Sequence, residues 1–110
     1  MSFSIASFSP EDIITSPQTV IDAVNHSCRE RGIPKKIQAV CHVGDSVHFV
    51  LRHCDRPTRR DYTLVELTDT TQADFAAAVN SRFQGSTDIV GAFTARGVSF
   101  AIFTSIRANE

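Results

Sequence analysis

Residues 38–57, QAVCHVGDSVHFVLRHCDRP, hold three of the chain's four histidines and two of its three cysteines. Two chemistries suit those residue types. Imidazole and thiolate groups ligate zinc, and a thiolate beside an imidazolium is a nucleophile. A structural zinc needs four such ligands and a catalytic zinc usually three, held close together. The spacing here matches neither CxxC nor HExxH.

Position in a hairpin decides which of these groups can meet. Gly44-Asp45 suits a two-residue type II′ turn. Counting back from it, Cys41 falls opposite His48, Ala39 opposite Val50, and Ile37 opposite Arg52. His42 and His53 fall on the other face. His48 and Cys54 are roughly 20 Å apart at about 3.3 Å per residue. A cluster in the sequence is therefore not a cluster in space, and no metal site is expected. Cys41 and His48 remain as candidate catalytic residues for a small thiol enzyme. Packing competes with that reading, because free cysteine is among the most buried residue types and nothing else in the chain clearly supplies an orienting carboxylate or an oxyanion hole.

A second group is basic. Arg52, Arg56, Arg59 and Arg60 surround Pro57. Guanidinium forks match phosphate and carboxylate geometry, so these four form a candidate anion-binding loop. Four solvated side chains are the competing reading. Residues 29–60 carry eight basic against three acidic side chains, within a chain of net charge −1. That overall balance gives no global attraction to nucleic acid or membrane, and a nucleic-acid contact through the arginines is the least favoured alternative.

The elements that must position these residues recur. FSIASFS (3–9) alternates as a strand does, and a loop with two prolines follows. SPQTVIDAVNHSCRERG reads as a helix capped by Ser16, with Pro17 in its first turn, Gly32 at its exit and Val20, Ile21, Val24 and Cys28 as its apolar stripe. Two strands joined at Gly44-Asp45 come next. YTLVELT (62–68) then opens a second strand, DTTQADFAAAVNSRFQG a second helix with Phe75, Val79 and Phe83 as its stripe, and DIVGAFT and VSFAIFTSI a second hairpin around Ala95-Arg96-Gly97. AVN occurs at 23–25 and at 78–80, and VHFVL (47–51) lies over VSFAI (98–102). The expected fold is α+β: a single domain over 1–110, built from a pseudo-duplicated β-α-β-β unit (1–55 and 60–108), with two helices packed on one side of mainly antiparallel sheet. Units of ~50 residues bury too little surface alone, so the halves should share a core. Asn25 and Asn80, the repeated asparagines, suit hydrogen bonds near a helix end or between the halves.

Such a sheet should be wet on its second face. Here that face carries Ala39, Cys41, Val43 and Val50 in the first hairpin, and Ile89, Phe93, Ala101 and Phe103, relieved by Ser99, in the second. An apolar face of that extent needs a cover: the other half, a second subunit, or a ligand. Cys41, His48, Phe93, Ser99 and Phe103 are thus the candidate ligand-binding residues.

No Walker loop, GxGxxG, GxSxG or HExxH occurs. No apolar run approaches the ~20 residues a membrane span needs. MSFSIASFSP lacks the basic and apolar regions of a secretory signal, and three cysteines make no disulfide framework. The expectation is a non-enzymatic cytoplasmic module, homo-oligomeric through its second sheet face, with room there for a small molecule and no cofactor.

Overall fold

The structure, a computed structural model, describes residues 2–56, 60–67, 76–77, 79–81 and 87–106. It is an α+β fold with two antiparallel three-stranded sheets. The elements run β1 (Phe3–Phe8), α1 (Pro10–Thr15), α2 (Pro17–Cys28), β2 (Lys35–Val43), β3 (Ser46–His53), β4 (Arg60–Leu67), β5 (Asp88–Ala95) and β6 (Val98–Ile106). The first sheet has the order β1-β3-β2 and the second β4-β6-β5. Each half thus places its last strand at the centre of its own sheet. Residues 76–77 and 79–81, between β4 and β5, are helical. Phe75, Phe83 and the expected ends of that helix lie outside the described residues.

The loop expected after β1 is a helix. Ser9 caps α1 by accepting a bond from the Asp12 N–H (3.1 Å), and Pro10 suits its first turn. Pro17 stops it, because a residue before proline avoids helical backbone, and Ser16 takes φ −140°, ψ 59°. Ser16 sits at the N-cap position of α2 as expected, but its side chain makes no capping bond. Gly32, expected at the exit of α2, instead takes φ 84° in the turn beyond the helix, which ends at Cys28.

Val20, Ile21, Val24 and Cys28 are all buried, as their spacing predicts, and Ile13 of α1 joins them. They pack on Ile37, Val47, Phe49 and Leu51 of the first sheet and on Tyr62, Phe93, Phe100 and Ile102 of the second. Four rings carry this core from one sheet to the other. Phe8 meets Phe49 edge-on at 5.7 Å, Phe49 meets Phe93 edge-on at 6.2 Å, and Phe93 stacks on Phe100 at 5.4 Å. The halves therefore share one core, as units too small to stand alone require.

β2 and β5 run close together where the sheets meet. A Cβ on Gly91 would lie 3.3 Å from Val40 Cγ1, so glycine allows the approach. His42 Nδ1 donates to the Thr94 carbonyl at 3.0 Å across the same seam.

Two register details differ from expectation. In the first hairpin Val43 pairs Ser46, Cys41 pairs His48 and Ala39 pairs Val50, as the Gly44-Asp45 turn dictates. A bulge at Gln38 then moves Ile37 opposite Leu51, into the core, and brings Lys36 opposite Arg52. In the second hairpin the turn is Arg96-Gly97 alone, both with positive φ (50° and 81°), as in a type I′ turn. A three-residue turn would have placed Phe93 beside Ser99. The two-residue turn sets it opposite Phe100, and the one-residue slip exchanges its face.

Candidate functional site

Cys41 and His48 stand opposite each other on the outer face of the first sheet, the face turned away from α2. Cys41 is exposed and His48 half-buried. The imidazole leans to the other side of β3, where its Nδ1 lies 2.7 Å from Ser7 Oγ on β1. Ser7 and Cys41 flank β3 on opposite sides, so this bond orients the ring away from the thiol.

The remaining histidines are dispersed. His42 is held by the Thr94 carbonyl, His53 lies between Ser2 Oγ (2.9 Å) and Ser4 Oγ (3.2 Å), and His26 is exposed on α2. Among the described residues, no three His, Cys, Asp or Glu side chains come together as a metal would require.

The five candidate ligand residues do not converge. Cys41 and His48 lie on the outer face of the first sheet, whereas Ser99 and Phe103 lie on the corresponding face of the second. Phe93 is a core residue, for the register reason given above. The two outer faces also differ in cover. On the second sheet Ala101 is 0% and Phe103 5% exposed; Phe103 lines a hollow of about 370 Å³ with Thr63, Val65, Ser81 and Thr87. On the first sheet Phe3 is 54%, Ile5 62% and Val43 60% exposed, with Ala39 and Cys41 exposed beside them and Val50 half-buried at the centre. The strand pairing puts Phe3, Ile5, Val50, Ala39, Cys41 and Val43 on one face.

Of the four arginines, Arg52 is half-buried on β3, Arg56 is exposed, and Arg60 is exposed at the start of β4. Arg59 and Pro57 lie outside the described residues. Arg52 lines an open cleft of about 650 Å³ at the end of the first sheet, together with Ser2, Lys36, His53, Cys54 and Asp55. Sequence reasoning missed Lys36 as a partner of Arg52. The hairpin register pointed to its neighbour, and only the bulge at Gln38 shifts Lys36 into place.

Two titratable groups with shifted behaviour lie in the core, away from both surfaces. Burial pushes the Cys28 thiol up to about 11, with the Lys35 and Arg29 charges opposing. Burial also raises the Tyr62 phenol, partly offset by the bond its oxygen accepts from the Ile37 N–H (3.0 Å). A raised pKa withholds the thiolate from Cys28, which makes it a packing group and not a nucleophile.

Comparisons with protein-family models, with curated proteins and with solved structures find no match to this chain.

Proposed function

We propose that this chain is a non-enzymatic module that pairs with a second copy of itself through the outer face of its first sheet. The observation that supports this is the contrast between equivalent faces: Phe103 is 5% exposed on the second sheet, while Ile5 is 62% exposed on the first. A contiguous apolar face in water is the usual mark of an interaction site.

The chemistry of the face favours a second copy as occupant. In a two-fold pairing each residue near the axis meets its own equivalent, so a patch of single charge would repel itself. The centre of this face, Ile5, Val50, Ala39 and Cys41, carries no formal charge, the neighbouring His48 and Ser7 bond to each other, and the cations Lys36 and Arg52 stand at its Phe3 end, off that centre. Three strands about 4.8 Å apart, rising about 3.4 Å per residue, present roughly 400 Å². A standard interface takes roughly 800 Å² from each partner. The pairing is therefore weak and reversible, and responds to concentration.

The same reading holds that the two halves arose by internal duplication, supported by their matching strand orders and by one bulge in the first strand of each hairpin. It also places the protein in the cytoplasm, where three free cysteines stay reduced. An enzyme built on Cys41 and His48 is less favoured, because the His48 ring is engaged by Ser7.

Cys41 reports on the pairing. Its labelling by Ellman's reagent should slow as protein concentration rises and the face is covered, while its rate in dilute protein resembles that of a simple exposed thiol. A rate that does not depend on protein concentration would count against the pairing. A dilute-solution rate far above that of a free thiol would instead support the enzyme reading.

A further inference from the structure

We infer that the cleft at the end of the first sheet is a binding site for a phosphate group, formed by Lys36 and Arg52. These two residues are directly paired across β2 and β3, so their side chains share one face. Like charges placed opposite each other across a sheet repel, and the arrangement costs stability unless an anion lies between them. Both side chains are half-buried, where screening by water is weaker than at an open surface.

Among the described residues neither cation is neutralised by an acid. The ion pairs join Arg29 to Asp61, Lys35 to Glu30 and Arg96 to Glu11, and among the described residues none involves Lys36 or Arg52. Asp55, the one acid lining the cleft among the described residues, is exposed.

The cleft also carries a hydroxyl and an imidazole. Ser2 Oγ and the His53 ring, joined at 2.9 Å, both line it. Its floor is held by backbone bonds from Cys54 N–H to the Pro34 carbonyl (2.8 Å) and from His53 N–H to the Ser2 carbonyl (3.0 Å). A volume of about 650 Å³ leaves room for a phosphate and the small molecule that bears it. The arginine fork supplies planar recognition of two oxygens and the lysine a mobile point charge. The bulge at Gln38 is what brings the two together, since an unbulged strand would set Ile37 against Arg52.

The site differs from the arginine loop read from the sequence. Only Arg52 is common to both. The site lies on the same outer face as the self-pairing patch, at the Phe3 end, but is built from different residues.

The test uses inorganic phosphate, with chloride at equal ionic strength as control, followed by calorimetric titration and by melting temperature. Native protein should bind phosphate saturably in the millimolar range or tighter and melt higher in phosphate than in chloride. Lys36→Gln/Arg52→Gln should fold alike and bind about tenfold or more weakly, since each charged hydrogen bond lost is worth at least that factor. Phosphate is excluded from protein surfaces generally, so the comparison lies between the two proteins. Arg56→Ser/Arg60→Ser should bind as native does. Equal melting shifts in native and Lys36→Gln/Arg52→Gln, no saturable binding, or loss of binding in Arg56→Ser/Arg60→Ser would each overturn the assignment.

Discussion

The side-chain amide of Asn25, on α2, meets both backbone polar groups of Tyr62, on β4. Its Nδ2 donates to the Tyr62 carbonyl and its Oδ1 accepts from the Tyr62 N–H, each at 2.9 Å. The helix amide thus takes the place of a neighbouring strand along the free edge of β4, which pairs with β6 on its other side. Tyr62 reaches on to the first sheet, where its hydroxyl accepts from the Ile37 N–H beside the bulge. One asparagine and one tyrosine thereby join α2, β4 and β2.

Asn25→Leu should cost about 3 kcal/mol in denaturant unfolding, because two buried backbone groups lose their partners at about 1–3 kcal/mol each. Tyr62→Phe should cost about 1–2 kcal/mol through the single Ile37 N–H. Equal and small effects for both would mean that water replaces these bonds.

Stability should fall in alkali. The Cys28 thiol titrates near 11 in the folded chain against 9.0 in an ordinary thiol. The unfolded chain therefore loses its proton first, and folding is fully supported below pH 9 and weakened as pH rises from 9 to 11. Two pH units correspond to a loss of about 2–3 kcal/mol. Tyr62 is shifted in the same direction and adds to the loss above pH 10. Cys28→Ala should flatten the profile between pH 9 and 10, measured by urea midpoints at each pH. An unchanged slope in that variant would place the titrating group elsewhere.

Gly91 sets the separation of the two sheets. Gly91→Leu should cost about 1–3 kcal/mol by overpacking against Val40, whose Cγ1 would already lie 3.3 Å from a Cβ there. In a Val40→Ala background the penalty should shrink, because the opposing methyls are gone. A double-mutant cycle reads the coupling directly, and additive effects would show that the strands do not meet at this point.

The sequence made much of this legible where local chemistry sets the geometry. Gly44 takes φ 62°, as a turn led by glycine requires, and the pairing of Cys41 with His48 follows by counting. The α2 stripe was readable because its helical period survives burial. What escaped was non-local. Nothing local marks Gln38 as a bulge, yet it places Ile37 in the core and Lys36 beside Arg52. A slip of one residue at Arg96-Gly97 likewise exchanged the face of Phe93. The apolar character of the second sheet face was visible residue by residue. Which half would leave it open was not, since that depends on what the rest of the chain packs against it. Asn25 and Asn80 show the same limit: the first is buried and bridges the halves, the second is exposed.

Sedimentation velocity over a wide concentration range, on native protein and on Ile5→Glu, tests the self-pairing face most directly. Ile5 is 62% exposed, so the charge should leave the fold intact, as circular dichroism and the melting temperature would verify. The native chain should move from a monomer at low concentration to twice that mass at high concentration, and Ile5→Glu should stay monomeric throughout, because pairing would bury two facing charges. A native chain that remains monomeric at every concentration, or an Ile5→Glu chain that pairs as well as native, would contradict the account.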